Sequence, residues 1–225
     1  MMKKLTFMVI LAASIRPAEA QFTGTLVYQS TTSTNFRLTT VHEKGNQARI
    51  DCRIYSLKSG VPDSSTGQDQ DPLIDDFTAN KETKLLYKQQ VASIGPFTDV
   101  WSQKRLKISP AEISVTLVGT ETINGYSCKH FIINWKISKK ELWITQDLGT
   151  SPVYILPAFL YYHPGSVFLD KLIAAGGAGI VVKGVTGPAN IILAHVDKTS
   201  PPSSVFAIPS GYSTRDVTAF MEQAQ

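Results

Sequence analysis

The sequence predicts a mainly β domain of the α+β type, with nine or ten antiparallel strands and two or three helices. Three observations predict it. Short segments alternate apolar and polar residues with period two, as in a sheet with one buried and one wet face. Strand-like and helix-like segments do not alternate along the chain, which argues against a doubly wound α/β fold, and no fixed-period repeat points to a solenoid or propeller. Of the 225 residues, 43% are hydrophobic and only 18% charged, enough apolar material for one core.

The elements follow in chain order. Residues 1–20 read as an export signal: Lys3 and Lys4 form a positive start, 5–13 an apolar run, and Ala18-Glu19-Ala20 a cleavage site. Arg16 and Pro17 interrupt the run, and it falls short of the roughly 20 apolar residues needed to span a bilayer. The expectation is an exported protein, periplasmic or extracellular, whose mature chain starts at Gln21, forms one domain over 21–225 and does not span the membrane. From Gln21 onward the chain carries 19 basic and 17 acidic residues. That balance is too even for electrostatic binding of nucleic acid.

Phe22, Gly24, Leu26 and Tyr28 share one face of a first strand. Phe36, Leu38 and Thr40 alternate with Arg37 and Thr39 in a second, which points Phe36 and Leu38 toward the core. The clearest strand has Ala48, Ile50, Cys52 and Ile54 on one face and Arg49, Asp51, Arg53 and Tyr55 on the other. Residues 56–72, rich in Ser, Gly, Asp and Pro, read as a long loop. Strands are expected at 73–79, 84–91 and 113–117, then at 126–137 and 141–145 beyond the tight-turn signal Asn124-Gly125. The segment 152–162 is apolar and aromatic. A helix is expected over 166–175 with Ser166 as N-cap, strands at 180–185 and 189–196, and a terminal helix from 214 to 223 with Thr214 as its cap.

Candidate chemistry is sparse. Gly176, Gly177, Gly179 and Gly184 fit no phosphate-binding spacing. The aspartates of the long loop match no Ca²⁺-loop pattern. His42, His130, His163 and His195 lie far apart in sequence, without the close ligand pairs of zinc sites, and Gly-x-Ser-x-Gly is absent. The expectation is therefore no enzyme, no cofactor and no metal. Cys52 and Cys128 could pair in an oxidising compartment if both point into one concavity; otherwise each is a small buried hydrophobe. The aromatic residues are read either as core or as the wall of an apolar cavity between a curved sheet and covering helices. Leu26, Tyr28, Phe36, Leu38, Ile50, Ile54, Trp135 and Trp143 are the candidate lining residues.

Four segments together carry a family resemblance: Phe22-Thr-Gly-Thr-Leu-Val-Tyr28, Gly119-Thr-Glu-Thr-Ile-Asn-Gly-Tyr-Ser-Cys-Lys-His-Phe131, Trp143-Ile-Thr-Gln-Asp-Leu-Gly149 and Val205-Phe-Ala-Ile-Pro-Ser-Gly-Tyr212. The chain resembles a family of exported bacterial domains of unknown function, similar in fold to the LolA/LolB lipoprotein carriers. The resemblance implies a curved antiparallel sheet or incomplete β-barrel with a few covering helices. It also implies a concave cavity for a lipid, an acylated protein or another apolar ligand. The alternative expectation is a structural or interaction module of the cell envelope, with a protein partner and a filled core.

Overall fold

The computed structural model describes residues 20–156 and 160–223. The expected export signal, apart from Ala20, lies outside the described residues, as do positions 157–159 of the aromatic segment.

Two sequential meanders build the sheet. The first comprises β1 (Gly24–Thr31), β2 (Asn35–Lys44), β3 (Gln47–Lys58), the two-residue strands β4 (Val61–Pro62) and β5 (Gln68–Asp69), β6 (Leu73–Asp76), β7 (Lys81–Leu86) and β8 (Val91–Gly95). Helix α1 (Thr98–Arg105) links it to the second: β9 (Ile113–Ile123), β10 (Tyr126–Trp135), β11 (Ser138–Thr145), β14 (Ile180–Thr186) and β15 (Ala189–Asp197). Between β11 and β14 lie a small ribbon of β12 (Tyr154–Leu156) and β13 (Leu160–Tyr162), and helix α2 (Val167–Ala174). The chain ends with β16 (Ser213–Asp216) and α3 (Thr218–Gln223).

The meanders join where β1 pairs with β15, so the sheet runs β16-β8-β7-β6-β3-β2-β1-β15-β14-β11-β10-β9 and stays open. Pairing is antiparallel except at one end, where β16 lies parallel to β8. This is the predicted mainly β, open curved sheet with a few helices.

The period-two patterns explain most faces. Leu26 and Tyr28 on β1, and Ala48, Ile50 and Cys52 on β3, are buried. Leu26, Tyr28, Ala48 and Ile50 pack with Trp143, Val182, Ile191 and Leu193 in the main core. A second core lies under α2: Phe168, Leu169 and Leu172 cover Phe131, Ile133, Leu142 and Ile144. Ser166 caps α2, its hydroxyl accepting from the Leu169 N–H at 3.1 Å. A third, smaller core on the other face of β6–β8 gathers Ile74, Leu85, Ala92 and Phe206. The Asn124-Gly125 turn forms as predicted, both residues having positive φ (51° and 84°), the requirement of a tight hairpin turn of this type.

Several expectations are corrected. On β2 the inward residues are Thr39, Val41 and Glu43, which stand opposite Cys52, Ile50 and Ala48 of β3. Phe36 and Leu38 therefore lie on the outer face, because polar Thr39 and Glu43 are the ones carried into the interior. The segment 84–91 is two strands, β7 and β8, separated by a turn. The 56–72 loop is tied down: β3 runs on to Lys58, β4 and β5 pair with it, and the Asp63 carboxylate accepts from the Ser65 N–H at 3.0 Å. Helix α1 has no counterpart among the expected elements. The terminal helix starts at Thr218 rather than near Thr214, because Thr214 belongs to β16. The Asp216 carboxylate accepts from the Thr218 N–H at 2.8 Å.

Candidate functional site

Register alone brings three carboxyl groups into one row. Glu43 stands opposite Ala48, Ala48 opposite Asp75, and Asp75 opposite Glu82. Residues directly opposite in an antiparallel pair point to the same face. All three side chains therefore enter the interior together, with the small Ala48 between the first two. Asp75 is completely buried, as is Glu43.

His163 and Asp99 approach this row from the covering layer. His163 follows β13, and Asp99 sits in the first turn of α1, where a carboxylate complements the helix dipole. His163 Nε2 lies 2.9 Å from Asp75 Oδ2, and Nδ1 lies 2.8 Å from Asp99 Oδ1. The His163 N–H also donates to Asp99 Oδ2 at 3.1 Å. The imidazole stacks on Phe97 with centroids 4.5 Å apart and planes 1° from parallel. Thr98 donates its hydroxyl proton to Glu82 Oε1 at 2.6 Å. The ring is thus fixed at both nitrogens and on one face.

The electrostatics follow from burial and crowding. Burial lowers the basicity of His163, but hydrogen bonds and charges from Asp75 and Asp99 outweigh it and raise the imidazolium to about 10. Burial, then repulsion from Asp75, pushes Glu82 up to about 7, against the Thr98 hydrogen bond. Glu43 is pushed by burial to about 8. Ser151 Oγ lies 2.6 Å from Glu43 Oε1 and 2.7 Å from the Val153 carbonyl. A serine carries one proton. A neutral Glu43 donating to Ser151, while Ser151 donates to Val153, satisfies both contacts. In this row two buried carboxyl oxygens are left without a hydrogen-bond partner, Asp75 Oδ1 and Glu43 Oε2.

The centre forms one wall of a pocket of about 410 Å³ between α1, β6–β7 and β13. Leu73, Tyr161 and Tyr162 supply apolar surface, Ser102 and Gln103 of α1 line it, and Lys84 lies at its side with Glu82, Thr98, Asp99 and His163. The size is in the ordinary range for small-ligand sites. The ligand atoms of Asp75, Glu82 and His163 all lie within 4.8 Å of one another, so these residues could hold a metal ion.

None of the eight candidate cavity residues lines this pocket. Leu26, Tyr28, Ile50 and Trp143 are packed into the main core. Phe36 rests on Tyr55 with ring centroids 6.1 Å apart. Leu38 borders a cleft of about 160 Å³ with Pro72 and Tyr87, and Ile54 a separate one with Asn35 and Gln70. Trp135 meets Phe168 edge-on, and its Nε1–H donates to Glu112 Oε2 at 3.2 Å. Cys52 and Cys128 are both buried free thiols, not a disulfide. The reason is topological: β2, β1, β15, β14 and β11 separate their strands in the sheet order. The residues that do converge, Asp75, Glu82, Asp99 and His163, gave no signal in sequence because no two of them share a close ligand spacing.

Residues 22–212 match a domain of unknown function, DUF4412. No curated protein matches the chain. Among solved structures, the chain is similar to that of PNGF-II, with 15% identity, 89% of this chain and 32% of that one covered, and a TM-score of 0.47. The chain therefore spans about a third of the length of PNGF-II. It is also similar to lipoprotein LppX of Mycobacterium tuberculosis (11% identity, 80% and 88% covered, TM-score 0.33). A LolA superfamily protein from Nitrosomonas europaea shows 10% identity, coverage of 85% and 91%, and a TM-score of 0.27.

Proposed function

The chain belongs to the DUF4412 family of domains of unknown function, so its activity has to be read from its own site; we propose that it is an exported binding protein that holds a lipid or another ligand with an apolar body. The observation that carries this reading is the 410 Å³ pocket beside α1. An apolar body would rest on Leu73, Tyr161 and Tyr162, and a polar end would sit near Lys84 and Ser102. Export is supported by the positive start, apolar run and Ala-x-Ala pattern of residues 1–20. No described helix is long and apolar enough to cross a membrane. In this reading the protein binds and does not catalyse.

A second reading, a structural or interaction module of the envelope, draws on a different observation. The inward residues of β1 and β3 and Trp143 form filled core rather than cavity wall.

Titration with a fatty acid and with an apolar dye, together with mass spectrometry of lipid extracted from the purified protein, separates the two. The binding reading expects saturable binding of one ligand per chain and a rise in melting temperature by mass action. The variant Ser102→Trp, which places an indole in the pocket from the half-buried face of α1, should abolish binding while the fold remains. Absence of co-purified lipid, of probe binding and of any thermal shift would leave the module reading in its place.

A further inference from the structure

We propose that Asp75, Glu82 and His163 form a binding site for one divalent first-row transition-metal ion, with Asp99 as the outer partner that orients the imidazole. This goes beyond the apolar-ligand reading and does not depend on it.

The geometry comes first. The three candidate ligand atoms lie within 4.8 Å of one another, and all three residues are buried. A zinc-type ion with tetrahedral bonds of about 2.0–2.2 Å holds its ligand atoms about 3.4 Å apart. His163 Nε2 and Asp75 Oδ2, now 2.9 Å apart, would part by a few tenths of an ångström, and Glu82 would draw in. Thr98 occupies Glu82 Oε1, which leaves the second oxygen of that carboxylate for the ion.

The second observation is an unpaired atom. Asp75 Oδ1 is buried with no hydrogen-bond partner, on a residue with no exposed surface. A buried carboxylate oxygen without a partner has lost its hydration with nothing to replace it. Bidentate coordination, with Oδ1 joining Oδ2 on the ion, would give both oxygens a partner.

The third is the outer shell. Metal-bound histidines almost always give their other ring nitrogen to a carboxylate or carbonyl, which fixes the tautomer. His163 already has that arrangement: Nδ1 is held by Asp99 Oδ1 at 2.8 Å, and the ring is clamped on Phe97. Nε2 is the nitrogen left to face Asp75. One imidazole and two carboxylates suit zinc, cobalt, manganese or iron(II) rather than a soft copper(I) site. Charge agrees, because three buried or half-buried carboxyl groups here face a single imidazole. On entry the ion takes the place of the proton on Nε2, which leaves to solvent. Glu82 and His163 both border the pocket, which supplies a route in. Three protein ligands leave at least one coordination position for water or a ligand group.

The test uses the purified protein, stripped with a chelator and titrated with Zn²⁺ and Co²⁺ by calorimetry and visible absorption. Expected are one ion per chain, Co²⁺ ligand-field bands of a low-coordinate site, and their loss on adding Zn²⁺. Glu82→Gln and Asp75→Asn should each weaken binding about tenfold or more, and Asp99→Asn by about 10–100-fold. X-ray absorption at the zinc edge of the wild-type protein needs no variant and should show a shell of nitrogen and oxygen only. Substoichiometric binding, a sulfur ligand, or affinity unchanged by a folded Glu82→Gln variant would overturn the proposal and leave His163 as a purely ionic clamp between two aspartates.

Discussion

Asp75 and Glu82 stand directly opposite each other on neighbouring strands, on the same face, and both are withdrawn from solvent. Like charges in that relation destabilise a sheet. Here the conflict is met from above by His163, which Asp75 shares with Asp99, and by the hydroxyl of Thr98, which Glu82 accepts. The arrangement makes the centre sensitive to the loss of any one member.

Removing the imidazole leaves two carboxylates without their partner in a buried site. His163→Ala should therefore destabilise the protein by about 3–5 kcal/mol, the usual cost of breaking a buried ion pair. Denaturant melts at neutral pH measure it. A loss within the range of ordinary surface changes, about 0.5 kcal/mol, would show that Asp75 and Asp99 find other partners.

Glu43 gives a pH dependence whose sign is fixed. Its folded pKa of about 8 is raised by burial above the ordinary carboxylate value. Such a group stabilises the fold fully below its unfolded pKa, about 4.3, and that contribution is lost as pH rises through the folded value. Glu43→Gln carries no titrating proton. The variant should thus gain on the wild type as pH rises from about 4.5 to about 8, by at most about 1.4 kcal/mol per pH unit. Urea melts of both proteins at several pH values read this out. A difference that stays constant with pH would mean that Glu43 is charged in the folded protein.

Two tryptophan substitutions discriminate between faces. Leu38 lies on the outer face of β2 and borders only the small surface cleft. Leu38→Trp should change stability by less than about 1 kcal/mol and leave probe binding intact, whereas Ser102→Trp should block it. Thermal melts and dye titration on the same pair of samples check both. Blockade by Leu38→Trp would place the ligand on the other side of the sheet.

The two cysteines should titrate as two thiols in denaturant and react slowly in the native state. Burial raises both above the ordinary thiol value, Cys128 to about 11, and the thiolate is the reactive form. A reductant should leave the melting temperature unchanged. Thiol counting with and without denaturant decides it, and a count of zero would require a bridge that this sheet order does not allow.

Much of the fold is legible in the chain. The alternation from Ala48 to Cys52, the Asn124-Gly125 turn and the Ser166 cap each act within a few residues, so the local sequence states them directly. Strand β2 is different. Its outer face carries Phe36 and Leu38 and its inner face Thr39 and Glu43, so hydrophobicity points the wrong way wherever a buried face is polar. Helix α1 leaves no mark in the sequence because its single buried residue is Gln103, so no buried apolar stripe distinguishes it. The division between β7 and β8 rests on the turn at Tyr87–Gln90, with Gln90 at a φ of 51°, and no Gly or Pro marks it. The centre itself was illegible for a simpler reason. Asp75 and His163 are 88 residues apart in sequence, and only the register of the β6–β7 pairing and the seating of α1 bring the four residues together.

The seam at β1 and β15 sets an order of assembly. A chain made from its N-terminus can pair β1 through β8 by neighbouring hairpins. The other edge of β1 nevertheless waits for Ala189–Asp197, since Thr25 finds its partner in Asp197 and Thr31 in Asn190. Contacts this distant form late, because loop closure must precede them, and an unpaired edge invites pairing with other chains. Strand β16 then has to travel back past both meanders to lie along β8. A nascent chain stopped anywhere before residue 189 is left with an open central edge. Such a chain is safest kept unfolded until Ala189–Asp197 has been delivered.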